Sequence, residues 1–495
     1  MGFFANADLP VLLAFLLYLA VMLGIGFYFT NKSKKMSDYF LAGRGLNSWV
    51  TAMSAQASDM SGWLLMGLPG AAYATGMGNY WIAIGLAIGT ILNWAFVAKP
   101  LRRFTEVCGD SITIPQYLTN RFLSKSKALQ IICAVIFLVA YTVYAASSVK
   151  ACGTLFNTVI GMDETAAMYL ASLIIIAYTF LGGFSAVCWT DFFQGMLMLG
   201  ALLIAPIFAL FMLQGAGVHP VDTPNYFNAF SSWKDIVSGL GWGLGYFGMP
   251  HILLRFMAIE DEKKLVLSRR IASVWVVIAM TASIVIGVVG LGMTKAGALE
   301  FLSGSSSETL IVRIASLIAQ HGVLAAVLAG LILAGILAAT MSTADSQMLA
   351  AASSVSQNIL QEFGHMKLTE KQSLFAARLT IICVSVVGVV LARDPDSSVF
   401  GIVSFAWAGF GGSFGAVVLC ALFWKRCNWQ GALAGMLCGG LMVFVWKYIV
   451  SPLGGVFGIY ELLPAFLVSL AVCVVVSLVT PAPTEDILAE FDAAK

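Results

Sequence analysis

The sequence predicts an all-α polytopic membrane protein with about 13 transmembrane helices. Of its 495 residues, 60% are hydrophobic and only 11% are charged, whereas soluble domains have about 25% charged residues. A helix needs roughly 20 apolar residues to cross a bilayer, and such stretches follow one another along the chain. They are continuous, unlike barrel strands, in which polarity alternates over about 10 residues. The composition argues against a soluble protein, and the continuity argues against an outer-membrane barrel.

Short polar gaps separate the predicted crossings. These lie near residues 8–30, 47–75, 79–99, 128–158, 164–181, 184–213, 235–258, 271–293, 322–358, 374–392, 398–424, 429–450 and 459–480. No long linker or low-complexity tract divides them, so we expect a single membrane domain over residues 1–495.

Lys and Arg are concentrated in alternate gaps. The gap after the first crossing holds Lys32, Lys34, Lys35 and Arg44, and the gap after the seventh holds Arg255, Lys263, Lys264, Arg269 and Arg270. Positive residues accumulate in cytoplasmic loops, so this pattern predicts an external N-terminus and a cytoplasmic C-terminus. We expect the acidic tail from Thr484 to Lys495 to be a solvated cytoplasmic end, and the location to be a bacterial-type cytoplasmic (inner) membrane.

The second crossing is interrupted by polar residues around Asp59. A carboxylate inside a membrane costs about 2.5–3.5 kcal/mol on the insertion scale and by default indicates a functional site. Ser58 and Ser61 add hydroxyl groups, and Gly62 followed by Pro69 allows the helix to unwind. Carbonyls freed by unwinding can bind a hard cation through oxygen. The alternative is a packed Asp59 whose hydrogen bonds come from serine hydroxyls.

The seventh crossing contains alternate glycines followed by Pro250. Gly and Pro cost about 1 and 3 kcal/mol relative to Ala in a helix interior, so we expect this crossing to be broken as well. Trp242 and Tyr246 lie four residues apart, hence on one helix face, where they can form an apolar wall with polar edges. The alternative is an aromatic packing stripe beside a tolerated kink.

The ninth crossing carries a run of hydroxyl groups. Ser342, Asp345 and Ser346 share one helix face, with Thr343 adjacent, and such hydroxyls can complete the ligands of a small cation. The alternative is that they bond back to carbonyls one turn earlier. Two broken crossings and a hydroxyl-rich third match inverted-repeat transporters, whose solute and ion bind near the midplane.

Six strings of the sequence resemble the sodium/solute symporter family, and within it the sodium/proline symporters. The strings are Tyr39–Arg44, Ala57–Gly70, Trp189–Asp191, Gly241–Gly248 with Pro250–His251, Met341–Thr343 and Ala406–Gly411. The resemblance implies a leucine-transporter-type fold with two inverted five-helix repeats. They would cover residues 47–213 and 235–424, with peripheral helices at 8–30 and 429–480.

The resemblance also implies a division of roles among residues. Sodium would be bound by the carbonyls of Ala57, Met60 and Ala339 and the hydroxyls of Ser342 and Thr343. The solute would lie near Ser61, Gly62, Trp63, Tyr144, Trp242, Tyr246 and Pro250. Asp59, beside Ser58, would support the ion electrostatically, and Asp191 and Arg44 match positions that affect transport efficiency. Asp345 is not part of the family's core sodium motif, and we expect it either to strengthen the ion site or to face a cytoplasmic pathway and pair with a basic loop residue.

The function implied is secondary active symport of L-proline with Na+, driven by the sodium gradient. The expected partners are L-proline, the sodium ion and the lipid bilayer, with no nucleic acid and no enzymatic reaction. Coupling to protons through Asp59 or Asp345 remains open. So does another solute, a small amino acid or a carboxylate such as pantothenate. A sensor or channel on the same fold is a further alternative. Lys150, inside the fourth crossing, has no assigned role beyond snorkelling or pairing.

Overall fold

The computed structural model describes residues 9–30, 36–124, 128–215, 225–230, 232–363, 368–394 and 398–495. Across these ranges the chain is helical, and the one β-type contact is an isolated bridge between Leu46 and Ile259. The all-α prediction is confirmed. The basic residues Lys32, Lys34 and Lys35 after the first predicted crossing lie outside the described residues.

Nine α-helices lie in the described part of the first half of the chain. They are α1 (Leu9–Thr30), α2 (Met36–Leu41), α3 (Ser48–Asp59), α4 (Leu68–Thr75), α5 (Tyr80–Leu92), α6 (Ala98–Val107), α7 (Ile114–Arg121), α8 (Ala128–Ile160) and α9 (Glu164–Gly215). Single-turn π segments, Trp63–Gly67 and Asn93–Val97, lead into α4 and α6. A left-handed backbone at Gly183, with φ 59°, divides α9 in two, between the predicted crossings 164–181 and 184–213.

Eleven more α-helices lie in the second half, again among the residues that the structure describes. They are α10 (Trp233–Trp242), α11 (Pro250–Ala258), α12 (Leu265–Lys295), α13 (Leu310–Ala319), α14 (Val323–Ser353), α15 (Glu370–Ala392), α16 (Val399–Phe410), α17 (Ala416–Phe423), α18 (Trp429–Val445), α19 (Leu462–Val479) and α20 (Glu485–Ala493). Helix α14 lies at the centre and packs against α1, α3, α8 and α9.

Ten helices in the described part of the chain are long and apolar enough to cross a membrane. The protein is therefore a multi-pass membrane protein, while the number of about 13 crossings stays a prediction. Three of the predicted crossings have no span of their own among the ten. The fifth is one of them, because it contains only the shorter apolar helix Glu164–Ala177. The predicted seventh crossing is split into α10 and α11, of 10 and 9 residues. The second half of the predicted second crossing and the third crossing form one continuous helical stretch, Trp63–Val107.

The second crossing breaks where its sequence predicts. Asn47 caps the start of α3, and its side chain accepts hydrogen bonds from the N–H groups of Trp49 and Val50 at 3.0 Å each. The helix ends at Asp59, because Met60 leaves helical geometry with φ −86° and ψ 76°. The chain becomes helical again at Gly62 and Trp63, and the second half of the crossing begins there.

The seventh crossing breaks at Met249. After α10, residues Gly243–Gly248 form a tighter 3-10 turn, and Met249 is extended, with φ −83° and ψ 103°. Pro250 then occupies the first turn of α11, where its missing N–H and fixed φ are compatible with a helix. The predicted interruption is confirmed.

Glycines let α5 and α10 pack with their backbones in contact. A Cβ built on Gly85 would lie 2.1 Å from the carbonyl oxygen of Gly239, and one on Gly89 would lie 2.4 Å from that of Gly243. Small residues allow such close approach between membrane helices. The start of the seventh crossing is thereby held against the third.

The C-terminal tail is folded, and the expectation of a solvated end is wrong. Residues 485–493 form α20, whose Ile487 and Phe491 lie four residues apart and are both buried. The Phe491 ring packs edge-on against Phe104 at 5.3 Å and lies 4.8 Å from the Arg121 guanidinium. This apolar pair on one face explains why the acidic segment docks.

We expect Gly85→Ala to destabilise the protein by about 1–3 kcal/mol, the usual cost of overpacking a core. The added methyl group has no room against the Gly239 backbone. Thermal unfolding of the detergent-purified protein, followed by size-exclusion chromatography, measures the effect.

The matched control is Gly200→Ala in α9, because a Cβ at Gly200 meets nothing within 4 Å. Equal melting temperatures for the two variants would show that α5 and α10 are not held by this glycine contact.

Candidate functional site

Oxygen atoms from α3 and α14 converge beside the break in the second crossing. The Ser342 hydroxyl donates to the Ala57 carbonyl at 2.8 Å, and the Thr343 hydroxyl lies 3.5 Å from the same oxygen. Both hydroxyls also contact the Ala339 carbonyl, each at 3.2 Å. Four of the five predicted sodium ligands therefore form one oxygen cluster.

The fifth predicted ligand, Met60, lies at the break itself and is completely buried. Its backbone turns out of the helix there, while its N–H still donates to the Gln56 carbonyl at 2.9 Å. Ser58 behaves differently, because its hydroxyl bonds back to the Ala55 carbonyl of its own helix at 3.3 Å.

Asp59 links the two broken crossings. Its carboxylate oxygen Oδ2 accepts a hydrogen bond from the Tyr246 hydroxyl at 2.6 Å. Its carbonyl oxygen accepts from Trp63 Nε1 at 3.3 Å and from the Tyr144 hydroxyl at 3.4 Å. The other carboxylate oxygen is buried without a hydrogen-bond partner among the described residues. The donors come from tyrosine and tryptophan, so the alternative of an Asp59 satisfied by serine hydroxyls is wrong.

Gly62 is required by the close approach of neighbouring helices. A Cβ at this position would lie 2.7 Å from the Cβ of Ala151 on α8 and 2.9 Å from the Cγ2 of Thr340 on α14. The predicted solute residue Ser61 precedes it and accepts the Trp63 N–H at 3.4 Å through its hydroxyl. The break is therefore enclosed by α8 and α14.

Trp242 is the centre of an aromatic wall. Its ring lies 6.1 Å from that of Trp63, and it stacks on Tyr460 at 4.8 Å with an interplanar angle of 15°. The rings of Phe400 and Trp407 lie 5.5 and 6.5 Å from that of Trp242. Sequence reasoning named Trp63 and Trp242 but missed Phe400, Trp407 and Tyr460.

Trp407 also holds the broken seventh crossing by a hydrogen bond. Its Nε1 donates to the Trp242 carbonyl at 2.9 Å, and its ring meets that of Tyr246 edge-on at 5.1 Å. The Asn93 amide donates to the Tyr246 carbonyl at 3.1 Å. These donors bond to backbone oxygens of the 3-10 turn, and the Tyr246 carbonyl also accepts the Met249 N–H at 3.5 Å. The string Ala406–Gly411 was the available signal for Trp407.

Pro250 starts α11, and His251 follows it near two tyrosine rings of α8. The His251 ring lies 6.1 Å from Tyr141 and 6.4 Å from Tyr144. Tyr144 also reaches the Asp59 carbonyl, so α8 contacts both breaks. All seven predicted solute residues therefore belong to the two breaks or to Tyr144 on α8 beside them.

Asp191 is completely buried, and its partner is Arg255 on α11. The Arg255 Nη2 lies 3.0 Å from Asp191 Oδ2, and the Ser54 hydroxyl donates to the same oxygen at 2.7 Å. The assignment of Arg255 to a loop after the seventh crossing is wrong, because α11 extends to Ala258. The sequence analysis counted the positive charge of Arg255 among loop residues and did not predict that this side chain is buried.

Asp345 and Arg44 have different hydrogen-bond partners. An Asp345 carboxylate oxygen accepts from the Ser346 hydroxyl at 3.3 Å, and Ser346 in turn contacts Arg255 at 2.6 Å. Arg44 is partly buried, donates to the Met257 carbonyl at 2.7 Å and pairs with Asp110 at 2.9 Å. Asp345 is thus linked through Ser346 to Arg255 on α11, and Arg44 contacts the end of the same helix.

Lys150 forms an ion pair, so of the two predicted alternatives, snorkelling and pairing, the structure shows pairing. Its ammonium group lies 3.2 Å from the Glu164 carboxylate and donates to the Asp394 carbonyl at 3.3 Å. The pair joins α8, the start of α9 and the segment after α15. It is separate from the oxygen cluster.

The site combines two chemistries in one buried region. Carbonyl and hydroxyl oxygens beside an unwound helix suit a small hard cation. Aromatic faces next to freed backbone groups suit a small solute with an apolar body and charged ends. The arrangement can therefore bind a cation and a small solute together.

The chain matches the model of the sodium:solute symporter family over residues 39–439. It is 40% identical over 478 residues to the high-affinity proline transporter PutP of Bacillus subtilis, covering 95% of this chain and 98% of that protein. It is also 40% identical over 500 residues to the sodium/proline symporter of Haemophilus influenzae, covering 98% of each.

Its fold is that of a solved symporter of the leucine-transporter type. A Na+-coupled sialic acid symporter in a substrate-bound outward-open state superposes with a TM-score of 0.77 and 19% identity, covering 97% of this chain and 99% of that one. This likeness confirms the predicted fold class. Together with the family match over most of the sequence, it leads to one conclusion: the chain belongs to the sodium:solute symporter family.

Proposed function

We propose that this protein is a secondary active symporter that takes up L-proline with sodium across a bacterial inner membrane. The observation that carries the proposal is the oxygen cluster of Ala57, Ala339, Ser342 and Thr343 beside the break at Met60. The printed names of relatives at 40% identity, a proline transporter and a sodium/proline symporter, support the choice of solute and ion.

Sodium is a co-substrate in this proposal. The hydroxyls of Ser342 and Thr343 turn their lone pairs toward the ion, and the carbonyls of Ala57, Ala339 and Met60 complete its ligands. Asp59 adds negative charge nearby. The ion joins α3 to α14 and orders the segment from Met60 to Trp63.

Proline binds next to the ordered segment. Its apolar ring lies against Trp63 and Trp242, and its charged ends meet backbone and hydroxyl groups at the breaks. The residues proposed to line the solute are Ser61, Gly62, Trp63, Tyr144, Trp242, Tyr246 and Pro250. Because sodium orders part of this lining, it raises the affinity for proline, and proline raises the affinity for sodium by the same factor.

The proposed arrangement in the membrane follows from the repeats and the basic loops. Residues 47–213 and 235–424 form the inverted repeats, each opening on a broken helix, and 8–30 and 429–480 are peripheral. The N-terminus is outside and the C-terminus cytoplasmic. Inward movement of one sodium charge is then favoured by about 2.3 kcal/mol per 100 mV of membrane potential, in addition to the sodium gradient.

The sodium ligands are tested by Ser342→Ala and Thr343→Ala. Each removes one oxygen from the cluster, and a hydrogen-bonding group on a charge contributes about 1.5–3 kcal/mol. We expect the sodium concentration that gives half-maximal proline binding to rise roughly tenfold or more. Binding of labelled proline to the purified protein across a sodium titration measures this.

The control for both variants is Ser353→Ala on the same helix. The Ser353 hydroxyl bonds back to the Ala350 carbonyl at 2.8 Å, away from the cluster. Titrations of the two variants that coincide with that of Ser353→Ala would refute the ligand assignment.

The variants Asp59→Asn and Trp242→Ala test the proposed ion site and the proposed solute site separately. The first removes a negative charge beside the ion and should weaken the response to sodium. The second removes the central ring of the aromatic wall and should weaken proline binding at saturating sodium by roughly tenfold, or about 1.4 kcal/mol. Equilibrium binding at low and at saturating sodium distinguishes them.

Competition in the same assay identifies the solute. We expect unlabelled L-proline to displace the label, and other amino acids and pantothenate to do so poorly. Sodium-independent binding, or uptake into vesicles that ignores sodium and membrane potential, would contradict the proposed function.

A further inference from the structure

Arg255 is a fully buried arginine in the second half of the broken seventh crossing. Its side chain is 0% exposed, and each nitrogen of its guanidinium group has a partner. Nε donates to the Ser54 hydroxyl at 3.0 Å, Nη1 to the His251 carbonyl at 2.7 Å, and Nη2 to Asp191 at 3.0 Å and Ser346 at 2.6 Å. The Phe184 ring covers it at 4.9 Å.

These partners lie on four different helices. Ser54 belongs to α3, Asp191 to α9, His251 to α11 and Ser346 to α14. A planar guanidinium with donors in a fixed fork can hold several acceptors in one geometry, which a lysine cannot do. Arg255 therefore determines the relative positions of four helices at one point.

Two of the contacts lead directly to the proposed binding residues. His251 follows Pro250, which starts α11 at the break. Ser346 lies one helical turn after Ser342, whose hydroxyl belongs to the oxygen cluster. One side chain thus joins the helix of the proposed solute site to the helix of the proposed ion site.

Stability alone does not account for such a group. Taking an ion pair out of water costs energy that its mutual attraction often fails to recover, so buried ion pairs are weak evidence for stability. A guanidinium group whose three nitrogens are all hydrogen-bonded does fix one arrangement of the helices that it joins. Coupling between two sites requires an element of this kind, contacted from both sides.

We infer that Arg255 is a positioning residue that transmits sodium binding on α14 to the solute site at the start of α11, through Ser346 on one side and the His251 carbonyl on the other. Sodium bound at Ser342 and Thr343 fixes α14. Ser346 then fixes the guanidinium, and the guanidinium holds α11 in the position that binds solute. Asp191 and Ser54 orient the guanidinium from α9 and α3.

This inference rests on the proposed function and goes beyond it by naming the residues that link ion to solute. The decisive quantity is the coupling ratio, defined as the proline Kd at low sodium divided by the Kd at saturating sodium. Coupling between sites typically changes affinity by about 5- to 150-fold.

The most selective variant is Ser346→Ala. It removes the bond from Arg255 to α14 and leaves the contacts of Arg255 with Asp191, Ser54 and His251 in place. We expect the coupling ratio to fall at least fivefold, with Kd at saturating sodium raised and Kd at low sodium little changed. Arg255→Lys keeps the positive charge and loses the forked donors of the guanidinium group. It should also lower the coupling ratio.

Ser353→Ala is the matched control on α14, since its hydroxyl bonds only within its own helix at the Ala350 carbonyl. We expect it to keep the parental ratio. Melting temperature and chromatographic profile are measured for every variant, so that a folding defect in Arg255→Lys is recognised and Ser346→Ala decides the question.

The outcomes are distinguishable. A parental protein whose proline binding ignores sodium contradicts the proposed function itself. A parental protein with a clear ratio, together with a Ser346→Ala variant that keeps this ratio, overturns the inference. An equal rise of Kd at both sodium concentrations also overturns it, because that result describes a structural contact and not a coupling element.

Discussion

Backbone groups inside a bilayer have no water to bond, so an unwound helix is tolerated only where protein encloses it. Both breaks in this molecule obey that constraint. The carbonyl freed at Asp59 accepts from Trp63 and Tyr144, and the carbonyl of Trp242 accepts from Trp407. The proposed site follows from this requirement, since the same enclosure that satisfies the backbone brings hydroxyls, aromatic rings and a carboxylate around each break.

The two breaks are joined in two ways. Tyr246 reaches the Asp59 carboxylate directly at 2.6 Å, which connects the 3-10 turn of the seventh crossing to the end of α3. Arg255 connects α11 to α3, α9 and α14 through a buried network. A movement of either broken helix must therefore displace α14 or break these bonds. This is the physical basis of the coupling that we propose between ion and solute.

The close helix packing has a related purpose. Gly85 and Gly89 allow α5 to touch the backbone of α10, and Gly62 allows α8 and α14 to close around the first break. Larger residues would hold these helices apart and leave the freed backbone groups without partners. Glycine therefore stands at positions where a neighbouring helix must approach the backbone closely. The total of 48 glycines does not by itself show which positions these are.

The sequence by itself determined the membrane class, the two broken crossings and the residues at the breaks, because composition and helix-breaking residues act locally. Asp59, Ser342 and Thr343 could be named from type and spacing. Only the tertiary structure decided that Arg255 is buried against Asp191, that Phe400, Trp407 and Tyr460 surround Trp242, and that the acidic tail docks through Phe491. These contacts join residues far apart in the chain, and neither periodicity nor charge pattern encodes which distant side chains meet.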